Sequence, residues 1–250
     1  MTKLKNKVAL ITGAARKQGQ GAAEAALFAR KGARVIMTDV LDEEGNALAL
    51  SIGNQASYQH LDVTSEAQWE RVIQRIQTEH GQIDILVNNA GVWSDTGVID
   101  TSPQEFRRVV EVNQTGVFLG MHFVAPFMKE RRSGSIINVS STAGLRVGLP
   151  YWRRLQLSAH AYTASKWAVR GMTKAAAKEL AAFNVRVNSI HPGVINTPMI
   201  TGGQNELAED CPMERLGTPE EVAELALFLA SDNSTYISGA EITIDGASTA

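Results

Sequence analysis

The feature that most constrains this sequence is a regular alternation between short apolar runs and longer amphipathic segments, which extends over all 250 residues. The short runs are rich in β-branched residues, and the longer segments have the periodicity of helices. Strands that are apolar on both faces belong to parallel sheets, and a helix usually connects each parallel strand to the next. The alternation therefore predicts a single α/β domain over residues 1–250, with a doubly wound sheet of seven parallel strands flanked by helices.

The element boundaries follow from the positions at which one periodicity gives way to the other. The predicted strands are Lys7–Thr12, Arg34–Thr38, Ser57–Leu61, Ile83–Asn88, Gly134–Ser140, Arg186–Ile190 and Glu241–Ile244. The predicted helices are Gly21–Lys31, Glu43–Ser51, Ser65–His80, Gln104–Lys129, Tyr162–Ala182 and Pro219–Ala230. Residues 144–161 and 198–217 have neither period, and we expect them to form binding loops or lids.

The amino-acid composition limits the kinds of molecule that we expect the protein to bind. Apolar residues make up 44% of the chain and charged residues 20%, and a net charge of −2 leaves no basic surface for nucleic acid. The single cysteine, Cys211, cannot form an intramolecular disulfide, and the N-terminus lacks a signal-peptide core, so we expect a cytoplasmic protein. No run is long and apolar enough to cross a membrane. We therefore expect a small-molecule substrate and no metal, nucleic-acid or membrane partner.

A glycine-rich turn joins the first predicted strand to the first helix. It runs from Thr12 to Gly21 and includes Gly13 and Gly19. Glycines let the backbone approach a pyrophosphate, while the helix N-terminus offers free N–H groups and a positive dipole end. The turn favours a dinucleotide site in a Rossmann-type fold, with an ordinary turn as the alternative.

An acidic residue, Asp39, follows the second strand. Its carboxylate can accept hydrogen bonds from both hydroxyls of an adenosine ribose, and its charge repels a 2′-phosphate. We therefore predict NAD as the cofactor. Arg16 and Lys17 in the glycine-rich turn favour a 2′-phosphate instead, and a simple turn-forming role for Asp39 is also open.

The third and fourth strands also end in residues suited to a ligand site. Asp62 and Val63 follow the third strand, and Asn89, Ala90 and Gly91 follow the fourth. The carboxyl ends of parallel strands line the crevice in which α/β proteins bind ligands. We therefore predict that these five residues contribute to the cofactor site.

A tyrosine and a lysine are four residues apart at the start of the helix that begins at Tyr162. This spacing puts Tyr162 and Lys166 on one face of the helix. Free tyrosine ionises near a pH of about 10, and a neighbouring ammonium group favours the phenolate. The pair predicts a general acid/base, although a solvated helix face has the same pattern.

Together these motifs resemble the short-chain dehydrogenase/reductase family over essentially the whole chain. The matching features, in order, are Thr12-Gly13 with Gly19 and Gly21, Asn88–Gly91, Ser141, Tyr162 with Lys166, Pro192-Gly193 before Thr197, and the ending Ser238 to Gly246. The resemblance implies that Tyr162 donates and accepts the proton, that Lys166 tunes it and binds the nicotinamide ribose, and that Ser141 hydrogen-bonds the substrate oxygen.

The resemblance assigns further residues to the site. Asn113 is implied to hold a water of the proton relay, and Thr197 with the backbone near Ile195 to bind the nicotinamide carboxamide. Structural alternatives remain open, in which Ser141 forms a turn and Asn113 and Thr197 cap helices.

The sequence departs from the family pattern in two places. Five residues lie between Gly13 and Gly19, more than is usual, which leaves the contacts of Arg16 and Gln18 open, although we include both in the predicted cofactor site. Twenty residues lie between Ser141 and Tyr162, also more than is usual. The insertion contains Tyr151 and Trp152, which we expect to line the substrate pocket, and Arg153 and Arg154, which favour a subunit contact instead.

The preferred function is oxidation of a bulky, apolar secondary alcohol, or reduction of the ketone, by a hydroxysteroid- or cyclic-terpenoid-specific enzyme that uses NAD(H). The alternatives are a 3-oxoacyl-thioester reductase that uses NADPH and a non-catalytic NAD(H)-binding regulator. The resemblance also implies a homotetramer or homodimer. The apolar segment 117–127 is compatible with a subunit interface and equally with an ordinary buried helix.

Overall fold

The computed structural model describes residues 3–147, 158–200, 202 and 204–250, which form one parallel sheet in the order β3-β2-β1-β4-β5-β6-β7. The strands are β1 (Val8–Thr12), β2 (Arg34–Asp39), β3 (Ala56–His60), β4 (Ile85–Asn88), β5 (Gly134–Val139), β6 (Val185–Pro192) and β7 (Glu241–Ile244). The helices are α1 (Gln20–Arg30), α2 (Asp42–Ile52), α3 (Glu66–His80), α4 (Pro103–Val110), α5 (Gly116–Arg131), α6 (His160–Leu180), α7 (Gln204–Glu209) and α8 (Pro219–Ala230).

The predicted seven-stranded parallel sheet is confirmed, and each strand ends within two residues of its predicted position. Alternate side chains of each strand enter separate apolar layers, as the pleat requires. In β1, Ala9 and Ile11 pack with α1 and α8, whereas Val8 and Leu10 pack on the opposite face with α3, α5 and α6. Burial of both faces explains why the central strands β1 and β4 appear in the sequence as apolar runs, whereas the edge strand β3 is partly exposed and more polar.

The direction in which the strands are added reverses at β1. This strand pairs with β2 on one side and with β4 on the other, so the two halves of the sheet grow outward from it. At the carboxyl edge the connections from β1 and β4 lead to opposite faces of the sheet, which leaves a crevice between them. The site described below lies in this crevice.

The long helix predicted over Gln104–Lys129 is interrupted. Between α4 and α5 the chain forms one π-helical turn, Glu111–Thr115, in which the N–H of Gly116 donates to the carbonyl of Glu111 five residues earlier. The prediction missed this turn because one extra residue per turn barely changes the apolar periodicity. The π-helical turn contains Asn113, which is completely buried.

The predicted loop at residues 198–217 also contains structure, because Gln204–Glu209 form the short helix α7. Its buried Leu207 packs with Tyr162 and Ala143 in a small apolar cluster beside the crevice. The insertion residues Tyr151, Trp152, Arg153 and Arg154 lie outside the described residues.

A buried carboxyl group in α1 has an energetic consequence. Glu24 is fully enclosed, and neither of its carboxyl oxygens has a hydrogen-bond partner among the described residues. Burial raises the pKa of Glu24 to about 8, so the group is protonated at neutral pH. The folded state holds this proton more tightly than the unfolded state. The contribution of Glu24 to the free energy of unfolding therefore falls as the pH rises from the ordinary pKa of glutamate to about 8.

We expect Glu24→Gln to stabilise the protein increasingly as the pH rises, because glutamine needs no proton to remain neutral. The free energy of unfolding of the variant relative to the wild type should increase by on the order of 3 kcal/mol between about pH 5 and pH 8.5. Denaturant titrations over this range measure the difference. The control is Glu43→Gln in the exposed first turn of α2. A pH-independent difference for Glu24→Gln would contradict the assignment.

Candidate active site

A large cleft opens at the carboxyl edge of the sheet where β1 and β4 diverge. The predicted cofactor residues that line it are Gly13, Arg16, Gly19, Asp39, Asp62, Val63, Asn89, Ala90, Gly91, Tyr162, Lys166 and Thr197. Three other predicted residues, Gln18, Gly21 and Ile195, do not line the cleft. The carboxyl ends of four neighbouring strands thus converge on one elongated groove, which has the shape that a dinucleotide requires.

Close backbone packing forms the inner end of the cleft. Gly13 has a φ of +66°, and a Cβ there would lie 2.6 Å from the Cα of Ala90. A Cβ on Gly21 would lie 2.6 Å from both the carbonyl oxygen of Gly13 and the side-chain nitrogen of Asn89. Only glycine allows these approaches, so Gly21 supports the start of α1 from behind instead of lining the cleft.

The lengthened turn closes on itself before α1 begins. The N–H of Gly19 donates to the carbonyl oxygen of Arg16 over 2.7 Å. Arg16, Lys17 and Gln18 are all exposed, and of these three only Arg16 lines the cleft. The extra residues are therefore accommodated as an outward turn, which leaves Gly19 at the start of α1.

The carboxylate of Asp39 joins the end of β2 to the glycine-rich turn. One oxygen accepts a hydrogen bond from the N–H of Ala15 at 3.0 Å, and the other accepts from Val40 and Leu41 at 2.8 and 3.3 Å. These bonds fix the carboxylate in the wall of the cleft as a negative group. Each carboxylate oxygen has two acceptor positions, so one position, on the oxygen that accepts from Ala15, remains for a donor from a ligand.

Asn89 holds the ends of β1 and β4 together. Its side-chain nitrogen donates to the carbonyl oxygens of Thr12 and Gly13 at 3.0 and 2.9 Å. In return, the hydroxyl of Thr12 accepts from the N–H groups of Asn89 and Ala90. This exchange fixes the backbone at the centre of the cleft.

Lys166 is a buried cation beside Tyr162. It is 4% exposed, and its Nζ donates to the carbonyl oxygen of Val139 at 2.9 Å and lies 5.5 Å from the centre of the Tyr162 ring. Burial lowers the pKa of Lys166 to about 8, so the ammonium form predominates at neutral pH. A positive charge is thereby held near a phenol in a poorly solvated environment.

Asn113 links the π-helical turn to two other elements of the site. Its side-chain oxygen accepts from the N–H of Val92 at 2.8 Å, and its nitrogen donates to the carbonyl of Val92 at 2.9 Å and to the hydroxyl of Ser165 at 3.2 Å. The side chain is thus engaged by the segment after β4 and by α6. These bonds use both amide protons of Asn113, whereas its side-chain oxygen has a second acceptor position that suits a relay water.

Ser141 lies just after β5, where the chain enters a short 3₁₀ turn. Its side-chain oxygen accepts from the N–H of Ala143 at 3.1 Å, which leaves the hydroxyl proton free to be donated elsewhere. The turn-forming role considered for Ser141 is therefore present, and it is compatible with a role in binding a ligand.

A second pocket adjoins the cleft at Tyr162. Apolar side chains dominate its lining, including Trp93, Val194 and Ile200, with Ser141 and Asp95 as polar members. Residues shared by the pocket and the cleft are Gln20, Trp93, Ser140, Tyr162, Thr197 and Met199. Tyr162 therefore stands at the junction between a groove suited to a dinucleotide and an apolar chamber suited to a second ligand.

Sequence reasoning did not identify Trp93, which packs edge-on against Tyr162 with ring centroids 4.6 Å apart. Trp93 lies two residues beyond Gly91, so extension of the strand-end rule past β4 would have found it. Gln20 and His191 were missed because a glutamine in a helix and a buried histidine carry no distinctive spacing. Ile195, predicted near the cofactor, lines the apolar pocket.

Within the part of the chain that the structure describes, no three metal-ligating side chains of His, Cys, Asp or Glu are grouped as a metal site requires. The helices of that part are also too short or too polar for any of them to cross a bilayer.

Comparison with known proteins gives matches along nearly the whole chain. A family model described as enoyl-(acyl carrier protein) reductase matches residues 13–249. The 3-alpha-(or 20-beta)-hydroxysteroid dehydrogenase of Mycobacterium tuberculosis is 43% identical over 99% of this chain and 91% of its own.

Two further relatives extend the comparison. The cyclopentanol dehydrogenase of Comamonas testosteroni is 42% identical over the full length of both chains. A 3-oxoacyl-(acyl-carrier-protein) reductase of Thermotoga maritima is 41% identical over 98% of each chain. Identity at this level over the full fold, together with the arrangement of Ser141, Tyr162 and Lys166, shows that the chain belongs to the short-chain dehydrogenase/reductase family of oxidoreductases.

Proposed function

We propose that this protein is an NAD(H)-dependent dehydrogenase that interconverts bulky, apolar secondary alcohols and their ketones, with hydroxysteroids and cyclic terpenoids as the substrate type. The observation that carries the proposal is the position of Tyr162, which lies between the dinucleotide-shaped cleft and the apolar pocket with the Lys166 ammonium beside it.

The residues present fit a dinucleotide cofactor. The tight packing of Gly13 and Gly21 brings the N-terminus of α1, with its free N–H groups, to the edge of the cleft. Asp39 and Asp62 line the same groove, as does Asn89. When bound, the nicotinamide accepts a hydride from the alcohol or returns it to the ketone.

The preference for NAD(H) rests on the charge near the adenosine end of the cleft. The Asp39 carboxylate is fixed by three N–H donors and cannot easily turn away from a 2′-phosphate. Arg16 is the cation of the glycine-rich turn that lines the same cleft, but it is exposed, so solvent and salt weaken its attraction for a phosphate. We therefore infer that Asp39, and not Arg16, determines the preference for NAD(H) over NADP(H).

Each polar group at the junction has a distinct task. Tyr162 withdraws the hydroxyl proton of the alcohol, or supplies it to the ketone oxygen, and the Lys166 ammonium favours the phenolate that this requires. Ser141 donates its free hydroxyl proton to the same oxygen. Asn113 holds Val92 and Ser165 in place with its side chain, and the second acceptor position of its side-chain oxygen binds a relay water.

The apolar pocket supports a neutral, ring-shaped substrate. Burial of hydrocarbon is favourable against its apolar walls, which are formed by Trp93, Val194, Ile200 and Leu207. The carboxylate of Asp95 disfavours an anionic group. Relatives that act on a hydroxysteroid and on cyclopentanol support the same class. The relative named as a 3-oxoacyl-(acyl-carrier-protein) reductase makes thioester reduction the second candidate, against which Asp39 is the main argument.

We also propose that the protein is a homotetramer or homodimer. Phe118 on α5 is 49% exposed and stacks on His122, and Trp167 on α6 is 44% exposed. Large apolar side chains on two neighbouring helices are a common basis for association between copies of one chain.

The first test is Tyr162→Phe, which removes only the ionisable hydroxyl. We expect kcat for a secondary alcohol to fall by about a thousandfold, since general acid/base catalysis is lost, while NADH binds with an unchanged Kd. Initial rates and a fluorescence titration measure the two quantities. Tyr236→Phe, at a fully exposed tyrosine, is the control. Substantial turnover by Tyr162→Phe would rule out the proposed chemistry.

The second test is Asp39→Ala. Removing the carboxylate deletes a ribose hydrogen bond and a repulsion against a 2′-phosphate, so the ratio of kcat/KM for NAD⁺ over NADP⁺ should fall by about ten- to a hundredfold. Asp42→Ala serves as the control, because Asp42 bonds Tyr58 and His60 and does not line the cleft. If the wild type prefers NADP⁺, the assignment of Asp39 is wrong.

The third test is Trp93→Ala, which removes one wall of the apolar pocket. We expect kcat/KM for cyclohexanol to fall by about tenfold and that for 2-propanol to change little, because only the ring contacts the indole. Tyr236→Ala, at a fully exposed aromatic side chain, should leave both values unchanged. Equal losses for the two alcohols would show that Trp93 has no part in substrate selection.

A further inference from the structure

His191 is a completely buried residue at the carboxyl end of β6, beside the end of β5. Its Nδ1 lies 3.0 Å from the carbonyl oxygen of Ser141, and its Nε2 lies 2.8 Å from the hydroxyl oxygen of Ser189. The imidazole therefore bridges two strands and ends on the backbone of Ser141. No task assigned above to the site accounts for this bridge.

The hydrogen-bond partners of His191 determine its tautomer. A carbonyl oxygen can only accept, so Nδ1 must carry a proton and donate it to Ser141. Burial lowers the pKa of His191 below its ordinary value, against smaller upward contributions from the Ser141 carbonyl and from Glu241. The neutral ring then has an unprotonated Nε2, which accepts the hydroxyl proton of Ser189 at 2.8 Å in preference to the carbonyl of Ala240, the other acceptor of that hydroxyl, at 3.3 Å.

Ser141 is held at both its carbonyl and its side chain. The carbonyl oxygen accepts from the N–H of Gly144 at 2.9 Å as well as from His191. The side-chain oxygen accepts from the N–H of Ala143. Those two N–H donors belong to the same 3₁₀ turn as Ser141, so they move with it. Ser140, directly before it, is bonded to β6 through the carbonyl of Ile190, and among the described residues the hydrogen bond that joins Ser141 itself to the sheet is the one from His191.

We propose that His191 is a positioning residue, which fixes the Ser141 peptide against β6 so that the serine hydroxyl faces the substrate oxygen. The proposal rests on the function proposed for Ser141. The proposal requires that the rate depends on the hydrogen bond from Nδ1 to Ser141 and not only on the packing of the imidazole ring. Small displacements of a group that binds the reacting oxygen lower the rate without preventing binding.

Two substitutions separate the two ends of the imidazole. In His191→Asn the side-chain nitrogen occupies the position of Nδ1 and can still donate to Ser141, whereas in His191→Gln the amide reaches only the position of Nε2 and Ser189. We expect kcat of the Asn variant to stay within about threefold of the wild type, and kcat of the Gln variant to fall by about tenfold or more. The Kd for NADH should remain unchanged in both, which also reports that they are folded.

A double-mutant cycle identifies the residue through which His191 acts. If the effect passes through Ser141, His191→Gln should lower kcat by no more than about twofold in the Ser141→Ala background. If His191→Gln does not fold, Ser189→Ala is the milder variant, because it keeps the imidazole ring and removes only the donor to Nε2. We expect a smaller loss of kcat for Ser189→Ala, and this loss should also vanish in the Ser141→Ala background.

The outcomes that overturn the proposal are distinct. Equal losses for the Asn and Gln variants would mean that the ring serves only packing, and additive losses in the cycle would mean that His191 acts elsewhere. Full activity of Ser141→Ala would remove the function proposed for Ser141, and with it this inference. If Ser141→Ala loses activity and the losses of His191→Gln and Ser141→Ala are additive, the proposed function is supported and the role proposed for His191 is wrong.

Discussion

The site depends on the close approach of the backbone where β1 and β4 diverge. Gly13 and Gly21 leave no room for side chains, and Asn89 ties the carbonyl oxygens of Thr12 and Gly13 to β4. A side chain at Gly13 would collide with Ala90, and one at Gly21 would collide with Asn89 and Gly13, so neither substitution fits this packing. The same contact keeps the carboxyl ends of the central strands at one edge, and the groups that bind and react are all mounted there.

Around this edge several buried polar side chains are held by hydrogen bonds. Lys166 donates to Val139, Asn113 bonds Val92 and Ser165, and His191 bridges Ser189 and Ser141. Hydrogen bonds that are shielded from water hold their geometry well, and charges there act more strongly. The result is a rigid polar framework beside an apolar pocket, which suits a reaction that needs one proton moved at one oxygen atom.

The sheet could be predicted from the sequence because burial of both faces of a parallel strand leaves an unmistakable apolar run. The cleft could be predicted because residues such as Asp39 and Asn89 follow those runs directly. The π-helical turn at Glu111–Thr115 could not, since its apolar pattern is nearly that of an ordinary helix. The bridge made by His191 depends on the register of β5 against β6, which no local pattern specifies.

The most direct measurement of the central claim is an initial-rate assay of the purified protein with a panel of cyclic and acyclic secondary alcohols, each offered with NAD⁺ and with NADP⁺. The account predicts formation of NADH, with the highest kcat/KM for neutral ring alcohols and much slower reaction with NADP⁺. Tight binding of NADH without turnover of any alcohol or ketone, or turnover only with NADP⁺, would contradict it.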